Sequence, residues 1–379
     1  MARIVANELA EFGQSIWLDN INRAMINSGK LKEMLGLGLR GMTSNPTIFD
    51  KAISASVNYD EKISELHQQG KSTLEIYDCL TVRDVQEAAD ILKAVYQETN
   101  GLDGYVSLEV NPKLAFDTQR TIEEAKRLHE KVSRSNVMFK VPATKKGFKA
   151  IEELTACGIN VNATLIFSLE QYAHTAQSYM EGIKRLIENR GDTSKVRSVA
   201  SVFVSRIDTI VDGLLEEKIA KGKDRQKNIE LSLLKGKAAV ANSGLIYRKY
   251  LDIFSSGEFK KLKDKGANIQ RVLWGSTSTK GPGYSDIKYV SELIAKGTVN
   301  TMPENTWEAF LGHGRVKEAL SADIEDAQKV IDGLKDFDID IAVVCAKLLR
   351  DGVAAFQESF ESLLHSIEEK AKTGKYIKV

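Results

Sequence analysis

The stretch "NVMFKVPATKKG" (residues 136–147) places a lysine in the middle of an apolar β-strand. The apolar residues of 137–141 have the composition of a buried strand, and Lys140 lies among them. Lysine is rarely fully buried unless a partner or a task retains it, because burying an unpaired ammonium is costly. The segments that surround this strand therefore decide what Lys140 does.

Seven further short runs have the same apolar, β-branched character, and helical patterns separate most of them. Strands that alternate with helices predict parallel βα units, and eight such units close a (β/α)₈ TIM barrel of the α/β class. In chain order, the predicted strands are "SIWLD" (15–19), "LGLRGMTSN" (37–45), "GYVSLEV" (104–110), "NVMFKVP" (136–142), "NVNATLIF" (160–167), "VASVFVS" (199–205), "RVLWGST" (271–277) and "GTVNTMP" (297–303).

The chain of 379 residues is longer than a minimal barrel, so additional segments are expected. The excess falls between strands 2 and 3, between strands 6 and 7 (about 206–268), and in the C-terminal tail. We predict that residues 1–312 form the barrel with the active site, and that residues 313–379 form a helical extension packed on it within the same domain. Helical spacing predicts a long amphipathic helix in the tail from the apolar residues Ile341, Cys345, Leu348, Leu349, Phe356, Phe360, Leu363 and Leu364.

Two sequence signals mark helix starts in agreement with this order of elements. Asn45 followed by Pro46 is typical of an N-cap and the first residue of a helix. The segment "SLEQ" (168–171) has the pattern of a capping box and leads into the helix after strand 5.

Polar residues lie near the ends of the predicted strands, and this pattern predicts the active site. In a (β/α)₈ barrel the C-terminal ends of the strands converge on one mouth, where active sites lie. Residues far apart in sequence could therefore meet within a few ångströms. The polar residues in or after the first seven strands are Asp19, Asn45, Glu109, Lys140, Asn162, Thr164, Ser201 and Ser276.

Lys140 has two possible roles in such a mouth. As an ammonium it would pair with Glu109 or Asp19 and act structurally, and as a neutral amine it would attack a carbonyl and form a Schiff base. Apolar neighbours favour the neutral amine, whereas the carboxylates favour the ammonium. We favour the nucleophile, because a lysine inside a barrel strand has few other reasons to be there. Glu109 inside its own apolar strand likewise needs a partner or a task.

The other polar residues also have structural interpretations. Asp19 could cap a helix that begins near Asn20, and Asn45 could act only as an N-cap. Asn162 and Thr164 could be ordinary residues of a polar layer inside the barrel. The sequence leaves these alternatives open.

Two features predict a phosphorylated substrate. Strand 7 continues into "STSTKGPGYSD" (276–286), a hydroxyl-rich loop with Lys280, and barrels often bind phosphate with the loops after strands 7 and 8. Arg206 follows strand 6, where its guanidinium could bind phosphate oxygens together with Ser201. Taken singly, Arg206 could form a salt bridge to a helix, and the loop could be only a turn.

Composition narrows the class of protein. The net charge of +1 gives no reason to expect nucleic acid or an anionic membrane as a partner. The three widely spaced cysteines, the lack of a signal-peptide core and the lack of a transmembrane run favour a cytoplasmic protein. The histidines show no metal-ligand spacing, and no P-loop or dinucleotide motif occurs. No cofactor is expected if Lys140 supplies the electrophile chemistry.

Six motifs make the chain resemble the transaldolase family in its longer bacterial form. The resemblance implies a class I Schiff-base mechanism without a cofactor. A dihydroxyacetone unit would move reversibly from sedoheptulose 7-phosphate or fructose 6-phosphate to glyceraldehyde 3-phosphate or erythrose 4-phosphate, in the non-oxidative pentose phosphate pathway. The motifs, in family order, are "GMTSNPTIFDKAI" (41–53), "VSLEVNP" (106–112), "VMFKVPAT" (137–144), "INVNATLIFS" (159–168), "SVFVSRID" (201–208) and "GTVNTMPENT" (297–306).

The resemblance also implies roles for single residues. Lys140 matches the Schiff-base lysine, Glu109 the acid/base glutamate, and Asp19 the aspartate that handles the substrate hydroxyl proton. Arg206 matches a phosphate-binding arginine; the second phosphate arginine of the family is missing from "GSTSTKGPG" (275–283), and we assign its role to Lys280. The residues that match those holding the dihydroxyacetone part or ordering the catalytic water are Asn45, Asn162, Thr164 and Ser201.

Phe203 is expected to favour transfer of the dihydroxyacetone unit to an acceptor over its release. It follows Ser201 by two residues on strand 6, so both side chains should face the mouth. Its ring offers no proton and keeps water away from the carbanion on Lys140. Aldolases that resemble this chain have a tyrosine at this point.

Two other functions remain open. A fructose 6-phosphate aldolase would share the barrel and the lysine, although such relatives are much shorter and have glutamine in place of Glu109. A barrel that binds sugar phosphate only as a sensor or scaffold would need no buried amine. We expect phosphorylated sugars as substrates and a monomer or homodimer as the assembly.

Overall fold

A closed barrel of eight parallel strands organises the computed structural model, which describes residues 4–281, 283–321 and 323–373. Each strand pairs with the next one along the chain, and the last pairs with the first, so the predicted (β/α)₈ fold is confirmed. The strands are β1 Gln14–Leu18, β2 Gly41–Thr43, β3 Val106–Glu109, β4 Val137–Pro142, β5 Val161–Ile166, β6 Ser198–Phe203, β7 Arg271–Gly275 and β8 Thr298–Met302.

Helices surround the barrel, and no helix in the described part of the chain combines the length and apolarity needed to cross a membrane. The first nine are α1 Val5–Phe12, α2 Arg23–Asn27, α3 Lys30–Gly36, α4 Pro46–Ser54, α5 Asp60–Gln68, α6 Thr73–Glu98, α7 Thr118–Val132, α8 Lys145–Ala156 and α9 Leu169–Glu188. The following ones are α10 Ser205–Lys221, α11 Arg225–Leu234, α12 Ala238–Phe254, α13 Gly257–Lys263, α14 Lys288–Ser291, α15 Glu304–His313, α16 Glu325–Asp336 and α17 Ile341–Thr373. Short 3₁₀ helices span Val57–Tyr59, Pro112–Leu114 and Thr193–Lys195.

Four parts of the predicted segments lie outside the described residues: 1–3, Pro282 in the loop after β7, Ala322 in the predicted extension, and 374–379. The predicted division of the chain after residue 312 falls one residue before the end of α15. That division stays a prediction.

Toward the C-terminal ends of the strands, the barrel interior changes from an apolar layer to a polar one. Alternate residues of a strand face the same side, so the inward-facing series can be followed in steps of two. The buried apolar cluster inside the barrel consists of Trp17, Tyr105, Met138, Val199, Leu273 and Val299. Two residues further toward the C-terminal ends lie Asp19, Ser107, Lys140, Ser201, Gly275 and Thr301. The apolar residues thus fill the barrel below a polar mouth.

The predicted helix starts are present. The side chain of Asn45 accepts a hydrogen bond of 3.0 Å from the backbone N–H of Ile48, and Pro46 is the first residue of α4. Ser168 forms a capping box at the start of α9. The helix after β1 is capped by Asn22, so Asp19 does not serve as its N-cap.

The additional segments are helical. The helices α4, α5 and α6 lie between β2 and β3, and α10 to α13 lie between β6 and β7, with α12 packed against α9 and α16. The predicted amphipathic helix of the tail is α17, which has 33 residues. Of the predicted apolar residues, Ile341, Leu349 and Leu364 are half-buried. The fully buried ones are Cys345, Leu348, Phe356, Phe360 and Leu363.

The helix α17 runs along the C-terminal rim of the barrel. It contacts β5 and the segments that follow β2, β3 and β6, which are α4, the Pro112–Leu114 turn and α10. The Gln357 amide donates a hydrogen bond to the Pro112 carbonyl oxygen, and the hydroxyl groups of Ser359 and Thr47 lie 2.8 Å apart. The tail therefore borders the mouth where the polar residues gather.

Candidate active site

A cavity of about 500 Å³ opens at the C-terminal mouth of the barrel. Three of the ten residues predicted from the sequence, Glu109, Asn162 and Thr164, are buried in β3 and β5 and do not line it. The predicted residues that line it are Asp19, Asn45, Lys140, Ser201, Phe203, Arg206 and Lys280. The topology of the barrel therefore gathers these distant residues into one region.

Lys140 lies at the inner end of this cavity with 4% of its side chain exposed. Its Nζ atom donates a hydrogen bond of 3.0 Å to the carbonyl oxygen of Ser44, directly after β2. The register of β3 and β4 pairs Glu109 with Lys140, and Nζ lies 3.5 Å from the Oε2 atom of Glu109. Because 3.5 Å exceeds an ordinary hydrogen bond, electrostatic attraction is the main interaction between the two groups.

Glu109 has a carboxyl group poised for proton transfer. Burial raises its pKa from 4.5 to about 7; the charge of Asp19 adds to the increase, and that of Lys140 opposes it. Neither carboxyl oxygen has a hydrogen-bond partner among the described residues. Both protonation states are therefore populated near neutral pH, which suits a group that donates a proton in one step and accepts it in another.

Two threonines that the sequence interpretation missed hold Asp19. The Thr43 hydroxyl donates a hydrogen bond of 2.7 Å to Oδ1 of Asp19, and Thr301 in turn lies 2.8 Å from the Thr43 oxygen. Thr43 ends β2, and Thr301 is the penultimate residue of β8. The rule that found the other polar residues, polarity near the end of a strand, would have found both.

Asn162 belongs to a buried chain of hydrogen bonds. It accepts one of 2.6 Å from the hydroxyl of Ser201, which lines the cavity, and donates one of 3.0 Å to the hydroxyl of Ser107. Asn162 therefore has the contacts of a polar-layer residue and reaches the cavity through Ser201. The Thr164 hydroxyl is buried without a hydrogen-bond partner among the described residues.

The charged residues that line the cavity favour an anionic ligand. Among the described lining residues, Asp19 is the one carboxylate, and the cations are Lys51, Lys140, Arg206 and Lys280. Lys51 was not predicted. It lies on α4 three residues after Ile48, which also lines the cavity, so helical spacing from the Asn45 cap could have indicated it.

The guanidinium of Arg206 lies at the cavity wall. It is half-buried, its Cζ atom lies 5.6 Å from the ring centroid of Phe203, and it forms no ion pair with any described residue. Burial lowers the pKa of this guanidinium. The alternative of a salt bridge to a helix is therefore not observed. Lys280 is exposed on the same cavity.

An aromatic wall borders the cavity on the side of β6. The ring of Phe203 lies 5.6 Å from that of Phe167 and 6.5 Å from that of Phe356, measured between centroids. Phe356 comes from α17 and also lines the cavity. Helical spacing predicts a buried position for Phe356 but does not identify it as a residue of the cavity.

Metal-binding side chains are not clustered in the described segments. No group of three or more histidine, cysteine, aspartate or glutamate residues within them could hold a metal ion. The three cysteines are free, and only Cys345 is buried. The amine of Lys140 and the carboxylate of Asp19 line the cavity, and Glu109 lies beside the amine.

Comparison with known proteins agrees with this arrangement of residues. The model of the transaldolase/fructose-6-phosphate aldolase family matches residues 16–367. A transaldolase of Trichodesmium erythraeum is 46% identical over 368 residues, covering 96% of this chain and 97% of the relative. Transaldolases of Saccharopolyspora erythraea (44%; 97% of this chain and 98% of the relative) and Neisseria gonorrhoeae (38%; 95% and 98%) are also similar over nearly the whole length. The chain belongs to the transaldolase/fructose-6-phosphate aldolase family.

Proposed function

We propose that the protein is a transaldolase that transfers a dihydroxyacetone unit through a Schiff base on Lys140. The donor is sedoheptulose 7-phosphate or fructose 6-phosphate, and the acceptor is an aldose phosphate. The observation that carries this proposal is the buried Lys140 amine, 3.5 Å from Glu109, at the inner end of a cavity whose described lining is rich in cations. A barrel that only binds sugar phosphate has no use for a buried amine beside a carboxyl group.

The reaction begins with attack of the neutral Lys140 amine on the C2 ketone of the donor. The carbinolamine then loses its hydroxyl group as water, with a proton supplied by Glu109, and an iminium remains. Thr164 would hold the water molecule through which Glu109 acts. A Glu109 pKa of about 7 supports this role, because the carboxyl group must both give and take a proton near neutral pH.

Carbon–carbon cleavage follows at the mouth of the cavity. Asp19 takes the proton of the C4 hydroxyl group, the C3–C4 bond breaks, and its electron pair moves into the iminium. The first aldehyde leaves and an enamine stays on Lys140. C3 of the enamine then attacks the acceptor aldehyde, Asp19 returns the proton to the new alkoxide, and water hydrolyses the iminium to free the product and the amine.

The remaining residues would position the substrate. Asn45 and Ser201 line the cavity and would hold the hydroxyl groups of the dihydroxyacetone part, with Asn162 supporting Ser201. Arg206 and Lys280 would bind the phosphate group. An unpaired guanidinium that is half-buried gains more from an anion than one that is already neutralised.

Turnover with sedoheptulose 7-phosphate and glyceraldehyde 3-phosphate tests the proposal. A transaldolase forms fructose 6-phosphate and erythrose 4-phosphate from this mixture. A fructose 6-phosphate aldolase instead releases free dihydroxyacetone from fructose 6-phosphate as fast as it transfers the unit. Binding of sugar phosphate without turnover would contradict both the transaldolase and the aldolase activity. The cytoplasmic location and the monomer or homodimer state stay predictions.

A further inference from the structure

The C-terminal helix contributes one apolar side chain to the cavity. Phe356 is the one described lining residue that lies beyond residue 305, and 3% of it is exposed. Its ring is inclined by 65° to that of Phe203, with 6.5 Å between the centroids. The two rings form a continuous apolar surface that faces the same cavity as Lys140.

Close packing fixes the position of Phe356 over the mouth. One turn earlier, α17 passes the barrel at Gly352, where an added Cβ atom would lie 3.1 Å from Cδ2 of Leu165 and 3.8 Å from Nη1 of Arg206. Leu165 has a φ of 58° and lies where the register of β5 and β6 shifts. Such an irregularity next to a site is retained when the surrounding structure requires it. The helix is therefore set tightly against the end of β5 and the start of α10.

The enamine on Lys140 can react in two ways, and access of water to C3 determines which reaction occurs. In transfer, C3 forms a bond to the acceptor carbonyl carbon. In release, C3 takes a proton from water, and the resulting hydroxide adds to C2 of the iminium. The carbinolamine then passes its hydroxyl proton to nitrogen and the C2–N bond breaks. Dihydroxyacetone leaves, and Lys140 is regenerated as the free amine. Release therefore consumes one water molecule and no acceptor.

We propose that Phe356 is a specificity-determining residue that, together with Phe203, suppresses release of dihydroxyacetone in favour of transfer. The inference rests on the proposed transaldolase function. Phe203 borders the cavity from β6 and Phe356 from α17, so neither ring alone closes this side. A phenyl ring cannot donate a proton and occupies space that would otherwise admit more than one water molecule.

The test compares Phe356→Ala with Phe360→Ala. Phe360 is as deeply buried on the same helix, but its ring packs against Tyr77 at 5.2 Å and does not line the cavity. Two rates are measured with fructose 6-phosphate as the donor: release of dihydroxyacetone without acceptor, and transfer to erythrose 4-phosphate. The measured quantity is the first rate divided by the second. This ratio does not depend on the fraction of folded enzyme, because only folded molecules contribute to either rate.

We expect Phe356→Ala to raise the ratio by at least about tenfold, since proton transfer by a positioned donor changes rates by about 10²–10⁴ and a mobile water is a poorer donor. Phe360→Ala should keep the wild-type ratio, and Phe356→Leu, which keeps an apolar cover, should lie between. An unchanged ratio in Phe356→Ala, or an equal rise in Phe360→Ala, would overturn the inference while leaving the proposed function intact. Absence of transfer by the wild type would overturn both.

Discussion

Replacing Glu109 by glutamine tests whether a carboxyl group beside Lys140 titrates near neutral pH. Burial raises the pKa of Glu109 from 4.5 to about 7. This difference corresponds to about 3 kcal/mol between the two protonation states. Because the native state binds this proton more tightly than the unfolded chain, the contribution of Glu109 to stability is fully present below about pH 4.5 and is lost as the pH rises through about 7.

Glutamine has nearly the same shape but no ionisable proton, so the variant should lack this loss of stability. We therefore compare the difference between the unfolding free energies of Glu109→Gln and wild type at each pH. From about pH 5 to about pH 8, this difference should shift in favour of the variant by roughly 2–3 kcal/mol. Urea denaturation of both proteins across this range measures the difference. Parallel stability curves would refute the conclusion that burial governs the ionisation of Glu109.

Infrared spectroscopy gives a direct readout of the same group. The carboxylic-acid C=O band that distinguishes wild type from Glu109→Gln should lose half its intensity at about pH 7. In Lys140→Met the midpoint should move higher, because the charge of Lys140 lowers the pKa of Glu109 in the wild type. A midpoint near the ordinary value of 4.5 would contradict the burial effect.

Three further predictions concern the proposed reaction. Borohydride added with fructose 6-phosphate should leave a dihydroxyacetone-derived mass on the peptide containing Lys140, and labelling that persists in Lys140→Met would remove this residue as the nucleophile. Arg206→Ala should lower kcat/KM for fructose 6-phosphate about 30- to 150-fold, which corresponds to roughly 2–3 kcal/mol, and should lower kcat/KM for fructose much less. Arg206→Lys should recover part of the lost kcat/KM. Because Lys280 is exposed, Lys280→Ala should lower kcat/KM for fructose 6-phosphate less than Arg206→Ala does. Equal losses on both sugars would make Arg206 structural. Phe203→Tyr should raise dihydroxyacetone release without acceptor and lower transfer, and unchanged partition would contradict the role of its ring.

The order of elements and most of the mouth could be predicted from the sequence. Eight apolar runs separated by helical patterns predict parallel βα units, and parallel closure brings every strand's C-terminal end to one side. Alternation along the strands then predicts which polar residues face inward, as for Lys140 two residues after Met138. Local capping chemistry at Asn45 and Ser168 acts over a few residues, so the sequence alone was sufficient for it.

Properties that depend on contacts between distant segments required the tertiary structure. Helical spacing predicts that Phe356 is buried, but only the path of α17 along the rim brings it to Phe203 in the cavity. The hydrogen bond from Lys140 to the Ser44 carbonyl oxygen, and the support of Asp19 by Thr43 and Thr301, join different strands. Periodicity in a sequence shows which face of an element avoids water, whereas the identity of the partner depends on how the elements pack. For the same reason, the local sequence "VSLEV" does not predict the pKa of about 7 at Glu109, because that pKa results from burial by segments that are distant in the chain.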